Sequence, residues 1–159
     1  MKGSMAANLF QEKCTDGGWN SIIKDPLTFL GVCPPTEGPK SLLHQATVNQ
    51  NQANNFAAAQ RVAGQFVKRA ACGVDSYGLN TLFSVMYDTV GHWAKHNGAN
   101  DGVVDFDSCA AGLNQGAFGT SYTNGFYKAS LNHGDLTFRN ADGWWGDDRK
   151  PIKWFECTL

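Results

Sequence analysis

The sequence predicts an α+β fold, mainly helical and braced by disulfides, in which two longer amphipathic helices and a short one pack with a small C-terminal antiparallel hairpin. Three observations lead there. Through the middle of the chain, apolar residues recur at three- and four-residue steps, the helical period. Near the C-terminus, two short β-type runs flank a turn-rich stretch. Five cysteines (Cys14, Cys33, Cys72, Cys109, Cys157) are spread over 159 residues with no CxxC pair, a spacing that reads as disulfides in a small exported domain rather than as a zinc or redox site.

From the N-terminus, "MKGSMA" (1–6) reads as an expression remnant, leaving 7–159 as one globular domain. A short helix opens at "ANLFQEKC", and the prolines and glycines of "GVCPPTEGP" then forbid regular structure. The first long helix is expected from an N-cap at Ser41 to Cys72, with Phe56, Ala59, Ala63, Phe66, Val67 and Ala70 at helical spacing and Gly73 closing it. The second begins near Asp75 or Ser76 and carries Leu79, Leu82, Phe83, Met86, Val90 and Trp93. At ~100° per residue these fall on one arc, which is expected to face the core. Asn97 and Gly98 stop it. The short third helix runs from Asp107 or Ser108 to Asn114, and "QGAFGTSYTNGFYK" reads as an ordered loop or irregular strands. "GDLTF" and "PIKWFEC", around "NADGWWGDDRK", form the hairpin. Cys14 with Cys33 is the preferred disulfide, with Cys109–Cys157 or Cys72–Cys109 next; an odd count leaves at least one thiol unpaired.

A formal charge of -1 supplies no field for phosphate backbones and argues against general nucleic-acid binding. No apolar run approaches the ~18 residues of a membrane span. Aspartate outnumbers glutamate eleven to three, which favours caps, turns and oxygen-ligand sites.

Four groups of residues could carry chemistry. Asp88, His92 and His96 are spaced i, i+4, i+8, so a continuous helix would stack them, opposite the apolar arc, as two imidazoles and a carboxylate fit for a divalent metal. The next stretch, "NGANDGVVDFDS", resembles an EF-hand loop in its second half: Asp101 stands at position 5, Gly102 at the sharp turn, Val104 at position 8 and Asp105 at position 9. The resemblance implies an oxygen site for calcium using Asp101 and Asp105. Asn97, Ala99 and Ser108 depart from it at positions 1, 3 and 12, the last removing the bidentate carboxylate.

Further on, "LNHGDLTFRN" gathers His133, Asp135 and Arg139, a proton-transfer group, an orienting carboxylate and a phosphate-holding guanidinium of ribonuclease-like type. Cys72 or Cys109 with His92, His96 or His133 would make a thiol–imidazole pair. Finally, Trp144 and Trp145, between Asp142 and Asp147, form an aromatic platform for sugar stacking or a partner surface, with one ring expected to tuck against the core.

The expectation for function is an exported protein, secreted or periplasmic, of effector or toxin type, whose partner is a protein or glycan outside the producing cell. The alternative is a small secreted hydrolase acting on a cell-wall polymer or RNA by Asp/His acid–base or divalent-metal chemistry.

Overall fold

The computed structural model of the chain describes residues 1–15 and 36–158. Helix α1 spans Met5–Thr15; it starts at Ser4, whose Oγ accepts a hydrogen bond from the Ala7 amide at 3.1 Å, an N-cap. A short helix, α2, covers Glu37–Ser41. Helix α3 spans Gln50–Phe66 rather than 41–72, because Asn49 is the residue that caps it, its side chain accepting from the Gln52 amide at 2.9 Å. The chain turns extended at Val67, and Ala70–Gly73 form strand β1. Helix α4 is Ser84–Trp93, α5 is Phe106–Cys109, strand β2 is Phe126–Ala129 and α6 is Pro151–Glu156.

The expected C-terminal antiparallel hairpin is absent. The sheet is a parallel pair, β1 on β2, with Ala71 opposite Tyr127 and Cys72 opposite Lys128. Parallel strands need a long crossover, and here it carries α4 and α5. "GDLTF" instead contains a single 3-10 turn, Asp135–Thr137. "PIKWFEC" is helical because Pro151 occupies the first helical position, where its missing amide costs nothing, and Asp142 Oδ1 accepts from the next amide, Ile152, at 2.8 Å.

The core sits on this small sheet. Leu79, Tyr127, Ala129 and Leu131 are buried together, with Ala71, Tyr122, Leu136 and Trp154 packed around them. Tyr127 stacks on Trp154 at 6.2 Å; its hydroxyl donates to the Asp147 carbonyl at 2.9 Å and accepts from the Lys150 amide at 3.0 Å. Burial pushes this phenol up to about 12. A disulfide joins Cys72 of β1 to Cys109 of α5, so the Cys109–Cys157 alternative does not form; Cys157 is free and exposed. Cys14 is also disulfide-bonded, while Cys33 lies outside the described residues.

Of the apolar arc expected to make the second helix's core face, Leu79 joins the core from the turn before the helix, but the rest does not. Leu82 is 89% exposed, and Phe83, Val85, Met86 and Trp93 are exposed as well. The buried positions of α4 are its small ones, Ser84 and Gly91. A Cβ at Gly91 would lie 2.9 Å from both Asn100 Oδ1 and Ser76 Cβ, so the helix packs by close backbone approach instead of by large side chains. Asp75 explains the late start: its Oδ1 accepts from the Tyr77 and Gly78 amides at 3.1 and 3.2 Å, a local turn that competes with helix.

Residues 1–6, whatever their origin, are built into this frame. The Lys2 amide donates to Ser108 Oγ at 2.9 Å, Ser4 Oγ donates to the Val103 carbonyl at 2.7 Å, and Gly3 (φ +91°) lies against the backbone of Leu43. Among the described residues no helix is long and apolar enough to cross a membrane.

Candidate functional site

The loop 97–105 hands its two aspartates to two different histidines. Gly102 adopts φ +91°, and a Cβ there would meet the Tyr87 carbonyl at 2.6 Å, so the sharp turn expected at this glycine is present. Asp101 folds back to accept from the Val103 and Val104 amides at 2.9 and 2.7 Å through Oδ1. Its Oδ2 faces His133 Nδ1 at 2.8 Å. Asp105 precedes α5, and its Oδ1 contacts His96 Nδ1 at 2.8 Å and accepts from the Asn97 amide at 3.2 Å. Each carboxylate is therefore held in its own pair.

Asp88, His92 and His96 do not form one stripe. The helix stops at Trp93 and Lys95 takes a left-handed conformation, φ 52°, which turns His96 inward. Its side chain is 1% exposed, whereas His92 stays outside, 3.6 Å from Asp88. Asp88 also accepts from Ser76 Oγ at 2.6 Å. Among the described residues, no three His, Cys, Asp or Glu side chains come together in a group able to hold a metal ion. Cys72 and Cys109, in their mutual disulfide, are not thiols.

Of the set His133, Asp135 and Arg139, His133 finds its carboxylate elsewhere. Asp135 is fully buried: Oδ2 accepts from the Leu79 and Asn132 amides at 2.8 and 3.2 Å, and Oδ1 accepts from Asn140 Nδ2 at 2.8 Å. It is a structural knot tying 77–79 to 132–140. Asp101, at an EF-hand-like position, is the residue that orients His133. Tyr87 lies beside this imidazole, ring centroids 6.5 Å apart. Arg139 is exposed and makes no hydrogen bond or ion pair among the described residues, yet its charge is felt at Tyr87.

With Nδ1 bound to a buried carboxylate, His133 has the orientation of a general base whose working atom is Nε2. The Asp101 hydrogen bond raises the His133 pKa above its ordinary value, against the burial that lowers it. A raised histidine pKa stabilises the fold fully below the unfolded value of about 6.5, and that contribution is lost as pH rises through the folded value. An NMR titration of His133 is expected to show a midpoint above about 6.5 that drops in Asp101→Asn; an unchanged midpoint in the variant would remove Asp101 as the cause.

The tryptophan turn is built on the opposite principle, two apolar side chains deliberately left outside. Trp144 is 89% and Trp145 82% exposed; neither ring tucks against the core. Both feet of the turn are fixed. The Gly143 amide donates to the Arg149 carbonyl at 2.7 Å, and its carbonyl accepts from Lys150 Nζ. On the far side the Asp147 carbonyl accepts from Tyr122 N and Tyr127 Oη, and the Asp148 carbonyl from Ser130 N. Gly143 has no room for a side chain, since a Cβ would lie 2.8 Å from Leu79.

Trp144 and Trp145 were legible in sequence as adjacent rings in a turn; the His133–Asp101 pairing was not, because the two residues are 32 positions apart and no local pattern links them. No protein-family model matches this chain, and no curated protein or solved structure matches it either.

Proposed function

We propose that the chain is an exported, disulfide-braced protein of effector or toxin type that binds a cell-surface target, protein or glycan, through the Trp144–Trp145 turn. The observation that carries this reading is the near-complete exposure of both rings on a turn anchored at Gly143 and Asp147. Two indoles in water forgo roughly 1.5–3 kcal/mol each of apolar burial, a cost that binding would recover. Because the feet are fixed, little ordering entropy remains to oppose association. The Cys72–Cys109 bond supports export, as such bonds persist in oxidising compartments.

The test compares intact-cell and glycan-array binding of the wild type with Trp144→Ala and Trp145→Ala. Each variant is expected to lose at least about tenfold in affinity, in line with the ~2 kcal/mol or more of a buried interface tryptophan, with an unchanged melting temperature. Binding retained in both variants contradicts the reading.

A second reading, a small secreted hydrolase, is favoured by one observation, the His133–Asp101 pair. Here His133 Nε2 would take the proton of an attacking water. A polymer-degrading activity lost in His133→Gln and kept in Trp144→Ala would favour this reading over the first.

A further inference from the structure

A cleft of about 350 Å3 opens where the N-terminal segment, the loop after α4, α5 and β2 meet, remote in sequence from the tryptophan turn. Its lining includes Lys2, His44, Asp105, Phe106, Asp107 and Lys128. The charges in it are not matched to one another. Neither Lys2 nor Lys128 forms an ion pair with any described carboxylate, although both side chains belong to half-buried residues. Asp105 gives its Oδ1 to His96 and the Asn97 amide, and Asp107 stands exposed. His44 Nδ1 accepts from the Ala46 amide at 3.2 Å, which leaves Nε2–H as its free donor. Burial lowers its pKa, against the Asp105 charge that raises it, so it donates without adding charge. Lys128 Nζ sits 4.5 Å over the Phe106 ring, the one aromatic wall of the cleft.

Two unpaired ammonium groups, a neutral N–H donor and an aromatic wall in one concavity suit a small ligand that is anionic at one end and apolar at the other. We propose that this cleft binds a small organic phosphomonoester, its phosphoryl oxygens drawing Lys128 off the Phe106 ring to join Lys2 and His44, and its organic part taking the place on Phe106 that the ammonium leaves. The volume lies at the lower end of the ~300–1,000 Å3 of small-molecule sites, larger than a bare phosphate fills.

Calorimetric titration of the full chain tests it with three probes: phenyl phosphate, inorganic phosphate and uncharged benzyl alcohol. Phenyl phosphate is expected to bind saturably, inorganic phosphate more weakly and benzyl alcohol not at all. Lys128→Gln and Lys2→Gln should each weaken phenyl phosphate about tenfold, the size of one charge-assisted contact, while Asp107→Asn tightens it. The fold-bearing contacts of Lys2 are backbone bonds, so Lys2→Gln tests the site even where Lys128→Gln unfolds. Trp144→Ala should bind the probe like wild type, separating this site from the turn. No saturable binding, equal binding of both phosphates, or an affinity indifferent to Lys2→Gln would overturn the proposal.

Discussion

Replacing Asp135 by alanine is expected to lower stability by about 3–5 kcal/mol, the range for breaking a buried polar network. The carboxylate is fully buried and satisfies three donors: the Leu79 amide, the Asn132 amide and Asn140 Nδ2. Alanine leaves all three without this partner, and the two backbone amides among them are buried, where each orphan costs about 1–3 kcal/mol. The lost knot also frees Gly78, which is held at φ +62° with the Asp135 oxygen 2.2 Å from where a Cβ would stand. For a chain of this size the melting temperature should fall by about 10 °C. Asp135→Asn should cost less, since its amide oxygen still accepts from both backbone donors and the conflict is confined to Asn140. A melting temperature within about 2 °C of wild type for Asp135→Ala would show that the network does not hold the core.

The second large effect is expected from the Cys72–Cys109 bond. It closes a sequence separation of 37 residues, and constraining an unfolded loop of that length is worth about 4 kcal/mol in the chain-entropy description. The bond is also the covalent link between β1 and α5, across the crossover that joins the parallel strands. The double variant Cys72→Ala/Cys109→Ala should therefore unfold at a lower urea midpoint, and reductant, which also opens the Cys14 bond, should lower the wild type's midpoint by clearly more than the variant's. Equal reductant sensitivity in both would place the stabilisation elsewhere.

Legibility in the sequence followed the range of the interaction. Local signals held for the early helix around "ANLFQEKC", the sharp turn at Gly102 and the aromatic turn at Trp144 and Trp145, whereas the break expected at Asn97 and Gly98 comes earlier, the helix ending at Trp93 and turning at Lys95. Elsewhere a nearby residue overrides the local rule. Asp75 spent its carboxylate on the next two amides and delayed α4 to Ser84; Asn49 took the cap expected at Ser41. The β-type run "PIKWFEC" became a helix through two signals present in the sequence, proline at its first position and an aspartate upstream to cap it. Long-range choices were not encoded locally. Nothing in "GFYKAS" announces a parallel partner at "AACG", and hydrophobic periodicity could not show that α4 packs through Ser84 and Gly91 while Leu82 faces outward. The same holds for the site: Asp135 was nearer His133 in sequence, but Asp101 reached it in space.

Two indole rings standing in water on a fixed turn carry the proposed binding, and acrylamide quenching of tryptophan fluorescence examines them without any knowledge of the target. Comparing the wild type with Trp144→Phe/Trp145→Phe should show that the double variant loses most of the readily quenched, red-shifted emission while its melting temperature is kept. If instead the two proteins quench alike, the rings are not presented to solvent and the turn is not the binding surface.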